Sequence, residues 1–154
     1  MRNILQKFVL GVAITVTVAF AADNSLGTWK LNMEKSKFSP SAPVKSLTYT
    51  REASDDGVKV TSTGERADGT PINGSYTAKY DGKEYPVTGA PYDSIAIKQV
   101  NATTFTTSQK NSNTKYSTTA RAVISQDAKT MTVTVRGTGT DGKRVRYTMV
   151  YEKQ

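Results

Sequence analysis

The 154-residue sequence contains no cysteine and no histidine. Without cysteine there is no disulfide, no thiolate nucleophile and no sulfur ligand for zinc or iron. Without histidine there is no imidazole base, no Ser-His-Asp triad, and no His-bound zinc or haem. No catalytic residue, metal or cofactor is therefore expected. The chemistry left belongs to carboxylates, Lys, Tyr, Ser and Thr. Tryptophan occurs once and proline five times. Long apolar runs are also scarce: only one exists, at the N-terminus, so no membrane span is expected in the rest of the chain.

That run has a recognisable frame. Arg2 and Lys7 precede thirteen uncharged residues, Phe8 to Phe20. Ala19-Phe20-Ala21 then supplies a small-x-small pattern, and Asp23 opens a polar chain. This order is that of a secretory signal peptide. Thirteen helical residues cover roughly 20 Å, short of the ~30 Å hydrocarbon core, which argues against a retained anchor. No Cys follows, which excludes a lipoprotein anchor. The expected division is a signal peptide over 1–21 and one mature domain over 22–154, exported to the periplasm or the medium. A domain of that length buries roughly two-thirds of its unfolded surface. An oxidising compartment permits disulfides. A chain without them must be held by its core and its sheet ladder.

From Leu26 onward the hydrophobic period is two. Ile72, Tyr76, Ala78 and Tyr80 alternate with Asn73, Ser75, Thr77 and Lys79. Met131, Val133 and Val135 alternate with Thr130, Thr132, Thr134 and Arg136. Val145, Tyr147, Met149 and Tyr151 alternate with Arg144, Arg146, Thr148 and Val150. Such alternation marks strands with one buried face, and the many Thr, Val and Tyr suit a pleated surface. Asp56-Gly57, Asp68-Gly69, Asp81-Gly82 and Asp141-Gly142 read as hairpin turns. About ten strands are predicted, over 26–32, 44–52, 57–64, 72–80, 84–88, 94–100, 103–109, 115–124, 130–137 and 143–152. Met33 to Pro43 reads as the one irregular connection, with at most one helical turn. Successive hairpins without a crossover helix imply an all-β, antiparallel up-and-down meander barrel of about 8–10 strands, which removes exposed edges. A β-sandwich is the alternative.

Leu26-Gly27-Thr28-Trp29-Lys30-Leu31 opens the first strand. A Gly-x-Trp at this place resembles the calycin superfamily, the lipocalins and their relatives. The resemblance implies that Gly27 and Trp29 sit at one barrel end and that a basic residue of the last strand, Arg144 or Arg146, packs across the indole. The mature chain also looks like small exported bacterial proteins labelled lipocalin-like. It does so through Gly27–Asn32, Lys35–Phe38, Tyr80–Gly89, Lys129–Val133 and Val150–Gln154. That resemblance implies export and a barrel but supplies no ligand. The chain departs from typical lipocalins in lacking a disulfide and in its strand count.

The aromatic residues are mostly tyrosine, eight of them. Tyr49, Tyr76, Tyr80, Tyr85, Tyr116, Tyr147 and Tyr151 fall on predicted strands. Trp29, Tyr49, Tyr76, Tyr80, Tyr85, Phe105, Tyr147, Met149 and Tyr151 are the candidate lining. They either wall a pocket for an apolar or amphipathic small molecule or fill a solid core. Ser39–Pro43 and Tyr85–Tyr92 are candidate mouth elements. The basic excess, formally +8, is dispersed. Only Lys143-Arg144-Val145-Arg146 clusters, which admits contact with an anionic envelope polymer. Nucleic acid is not expected as a partner, and a monomer is. Glu65, Glu84 and Asp93 lie near strand ends and leave a carboxylate-based hydrolase as the least favoured function. The expected function is non-enzymatic binding of a small molecule in a Tyr-lined barrel. The alternative is a filled barrel whose basic surface meets anionic polymers. N-terminal sequencing of protein recovered from its own host should read from Ala22 or Asp23; a chain starting at Met1 would overturn the export expectation.

Overall fold

The structure is a computed structural model, and it describes residues 23–154. The expected signal peptide, and the domain boundary at residue 22, lie outside the described residues. Ten strands follow: β1 (Gly27–Ser39), β2 (Val44–Ser54), β3 (Gly57–Arg66), β4 (Pro71–Lys79), β5 (Asp81–Thr88), β6 (Ser94–Asn101), β7 (Thr104–Lys110), β8 (Ser117–Ile124), β9 (Thr130–Thr138) and β10 (Arg144–Lys153). Each pairs antiparallel with its sequence neighbours, and β1 pairs with β10, which closes one barrel rather than the two stacked sheets of a sandwich. No helix among the described residues is long and apolar enough to cross a membrane.

Three of the four Asp-Gly pairs place glycine in the left-handed region; at the fourth the turn is Asp55-Asp56, with Asp55 at φ +39°, and Gly57 opens β3. Gly69, Gly82 and Gly142 take φ of +89°, +76° and +81°. The preceding aspartates brace the bends by accepting backbone N–H bonds: Asp68 from Thr70, Asp81 from Lys83 and Asp141 from Lys143, each at 2.9 Å. Asx turns of this kind let a side chain stand in for a backbone acceptor.

Two stretches depart from the sequence reading. Met33–Ser39 is not an irregular connection with a helical turn; it continues β1. A bulge shifts the register between Asn32 and Lys37. Asn32 Oδ1 accepts the Lys35 N–H at 3.0 Å, and Ser36 Oγ accepts the Val150 N–H at 2.9 Å, so side chains replace missing ladder bonds. The bulge reverses the parity. Leu31 faces in before it and Phe38 after it, where its ring meets Tyr147 at 5.6 Å. The second departure is β4–β5. Asp81-Gly82 reads as the tip of a regular hairpin, yet only Ser75–Thr88 and Tyr76–Val87 pair. Beyond those rungs the strands part, leaving a seam in the wall. Gly89 fixes the closed side: its φ is +71°, and a Cβ there would lie 1.9 Å from the Asn73 carbonyl oxygen.

Inward side chains from all around the wall make up the core. Val58, Val60, Ile72, Ala78, Val87, Ile95, Ile97, Ile124, Met131 and Val135 are all buried, each large aliphatic contributing ~1.5–3 kcal/mol. One end is closed by Trp29, which is fully buried and donates its Nε1–H to the Ser25 carbonyl at 2.9 Å. The cation across the indole is Lys153, its Nζ 5.2 Å from the ring centroid, and not Arg144 or Arg146. Register explains the correction. Trp29 pairs with Lys153, whereas Arg146 pairs with Ser39 at the other end of β10 and is exposed, as is Arg144. Trp29→Ala should lower the urea unfolding free energy by about 3–5 kcal/mol. Lys153→Gln should cost about 0.5–1 kcal/mol, and Arg146→Gln should leave Trp29 fluorescence unchanged.

Candidate functional site

The ladder places the expected lining residues on the inward parity. Trp29 pairs with Tyr49, Leu31 with Tyr151, Val60 with Tyr76, Gln99 with Phe105, Val133 with Met149 and Val135 with Tyr147. Rings meet in pairs: Tyr49 with Tyr151 at 5.3 Å and Tyr80 with Phe105 at 5.2 Å. Tyr151 also lays its hydroxyl 3.8 Å from Met149 Sδ. Tyr80 and Tyr116 lie just outside strands, at the β4–β5 junction and before β8. Tyr85 is half-buried, and its hydroxyl turns out to donate to Asp81 Oδ2 at 2.7 Å. Tyr85 is therefore a rim residue beside the seam.

The interior holds further groups beyond the expected lining. Tyr92 leaves the Gly89–Asp93 loop and stacks on Tyr116 at 5.8 Å. More consequential is Arg51 on β2. It shares parity with Leu47 and Tyr49, pairs with Val60, and holds its guanidinium 6.0 Å from the Phe105 ring. Its guanidinium makes a long hydrogen bond from Nη2 to Ser25 Oγ at 3.5 Å and stands beside the Tyr76 hydroxyl, so both neighbours are neutral. Its Nε is buried with no acceptor, and no described carboxylate lies within 4.0 Å. On β7 the Thr107 hydroxyl is likewise buried without a partner. Among the described residues, the buried side-chain atoms left unpaired thus come from two inward-facing positions.

Burial pushes the phenols of Tyr49, Tyr76, Tyr92, Tyr116 and Tyr151 above their ordinary value, because the phenolate would lose its hydration. Tyr80 shifts the same way for the same first cause. The interior therefore presents neutral O–H donors around one fixed positive charge.

The carboxylates considered for hydrolysis are engaged elsewhere. Glu65 pairs with Lys45 at 2.8 Å and Glu84 with Lys110 at 3.0 Å. Asp93 Oδ2 accepts the Ser112 N–H at 2.9 Å and the Ser112 hydroxyl, which holds its pKa below the usual carboxylate value. An acid that ionises so readily is a poor general acid. Of the two expected mouth elements, Pro40–Pro43 is a short connection after β1. Tyr85–Thr88 belongs to β5, leaving Gly89–Asp93 as the loop.

No family model matches the chain, and no curated protein does. Solved structures similar to it include EF1p2_mFAP2b bound to DFHBI, at 15% identity and TM-score 0.48, covering 87% of this chain and 97% of that one. Lobster apocrustacyanin A1 is 14% identical with TM-score 0.45, and 86% of this chain spans 62% of it. A fluorescence-activating β-barrel designed de novo is 15% identical with TM-score 0.43, the match covering 86% of this chain and 96% of that one.

The raised phenols set an alkaline limit on stability. A group whose native pKa exceeds its unfolded one contributes stability that is intact below the unfolded value. That stability is lost as pH rises through the native value. Absorbance at 295 nm should show the buried tyrosines ionising only together with unfolding, above pH ~10. Independent titration of most phenols near pH 10 in a folded barrel would contradict this.

Proposed function

We propose that the protein is an exported, non-enzymatic binding module that holds a small amphipathic molecule in the barrel, with an anionic head against Arg51. The observation that carries this reading is Arg51 itself. A charge held in the wall without a counter-ion is costly, and buried polar atoms are almost always paired. A carboxylate or sulfonate arriving from outside supplies the missing acceptor to Nε and to the guanidinium as a whole. Thr107 and the neutral phenols offer further donors. Phe105, Met149 and the tyrosine faces suit an apolar tail, a mixture typical of small-molecule sites.

The seam between β4 and β5 supports an entry route, because only two rungs hold the wall there. Tyr80 and Tyr85 flank it. The signal-peptide pattern of residues 1–21 supports export and a mature domain from residue 22. Glu65, Glu84 and Asp93 are each held in other contacts, which favours binding over hydrolysis by these three.

The test is titration with 11-(dansylamino)undecanoic acid and its methyl ester, read by dansyl emission. The acid should bind. Arg51→Met should weaken it by roughly 10–100-fold, the value of a hydrogen bond to a charged group, and leave the ester within about threefold. The unliganded Arg51→Met protein should unfold at the same or higher urea concentration than wild type, since it loses an unpaired charge. Equal weakening of acid and ester, or no binding of either, would sink the reading.

A further inference from the structure

The barrel's outer wall carries a second constellation, whose concavity also touches Ile97, Thr107 and Ala120 of the inward-facing row between its rungs. Across β6 to β9 a concavity of about 630 Å³ opens on the outside. Its ridges are the exposed side chains of Lys98, Arg121 and Arg136, and its floor is built by Thr106, Ser108 and Thr119. The register shows why these residues meet. Lys98, Thr106, Arg121 and Thr134 lie on one continuous rung through β6, β7, β8 and β9. Ser108, Thr119, Arg136 and Arg146 lie on the next, through β7, β8, β9 and β10. Arg121 and Arg136 are therefore diagonal neighbours, and Arg136 stands directly opposite Arg146.

That arrangement is unfavourable in isolation. Like charges directly opposite on antiparallel strands repel. None of Lys98, Arg121, Arg136 and Arg146 has a described carboxylate within 4.0 Å. The acidic groups nearest in register are on β5. Asp81 faces Lys98, but its oxygens accept from the Lys83 N–H and the Tyr85 hydroxyl. Glu84 is committed to Lys110. The basic rungs thus run across four strands without neutralisation.

We propose that this outer wall binds an acidic polysaccharide, with Lys98, Arg121, Arg136 and Arg146 engaging successive carboxylates or sulfates. The floor hydroxyls, which both donate and accept, engage the sugar hydroxyls. Guanidinium is the side chain suited to bidentate contact with such groups. The groove contains no aromatic residue, and single-stranded nucleic acid binding relies on aromatic faces for stacking. The proposal needs nothing from the interior site.

The experiment measures binding of the mature protein to alginate, with neutral dextran and oligo(dT) as comparators, across a salt series. Alginate should bind, dextran should not, and affinity should fall as salt rises. Arg121→Gln with Arg136→Gln should weaken alginate binding roughly tenfold and flatten the salt slope by about two. Lys30→Gln with Lys59→Gln removes the same charge from exposed sites on β1 and β3 and should leave binding within about twofold. The arginine variant should melt no lower than wild type, since it relieves repulsion, and should still bind the dansyl acid. Equal losses in the two double variants would mean diffuse charge attraction and overturn the proposal. Absence of alginate binding, or oligo(dT) binding as tightly as alginate, would overturn it too.

Discussion

Closure of the ring by β1 against β10 is the constraint on which the rest depends. Every other rung joins strands that are neighbours in sequence; this one brings Trp29 to Lys153. Tying ends so far apart costs roughly 4 kcal/mol of chain entropy, and no disulfide shares that burden. The compensation is concentrated at the join. A fully buried indole, its bond to Ser25, the ammonium across its face and the long run of β1–β10 rungs all fall there. With the ring shut, inward and outward parity become fixed around the wall, and both proposed sites are consequences of parity.

The two faces use the same residue type differently. Inside, one arginine stands among phenols kept neutral by burial, where charge is scarce and a single counter-ion matters. Outside, arginines stand in solvent, where each is individually cheap and only their repetition across rungs gives a preference. The first arrangement favours one headgroup of defined position. The second favours a polymer that repeats its charge.

Much of this was legible in the sequence, and the misses have physical causes. The strands showed because one face of each is buried, so alternation survived in β4, β9 and β10. The end of β1 did not show, because a bulge between Asn32 and Lys37 reverses the parity that alternation depends on. Lys153 was within reach: it shares parity with Tyr147, Met149 and Tyr151, whereas Arg144 and Arg146 have the opposite one. Arg51 was also within reach, two residues from Tyr49 and four from Leu47, but a charged residue on a strand is ordinarily read as outward. Thr107 was not, since β7 alternates Thr with Thr. The outer rungs lay beyond any local pattern, because Lys98, Arg121 and Arg136 meet only through lateral pairing.

The seam between β4 and β5 carries one more consequence. A closed barrel has no free strand edge, but a wall that parts after two rungs regains a short one on each side. Unsatisfied edge amides are templates for a foreign strand, and long apolar edges aggregate. Here the exposed residues along the parted segments include Thr77, Lys79, Asp81, Lys83, Glu84 and Pro86. Charge and a missing amide proton discourage an incoming chain while leaving room for something smaller. The opening is guarded against other proteins by its own composition.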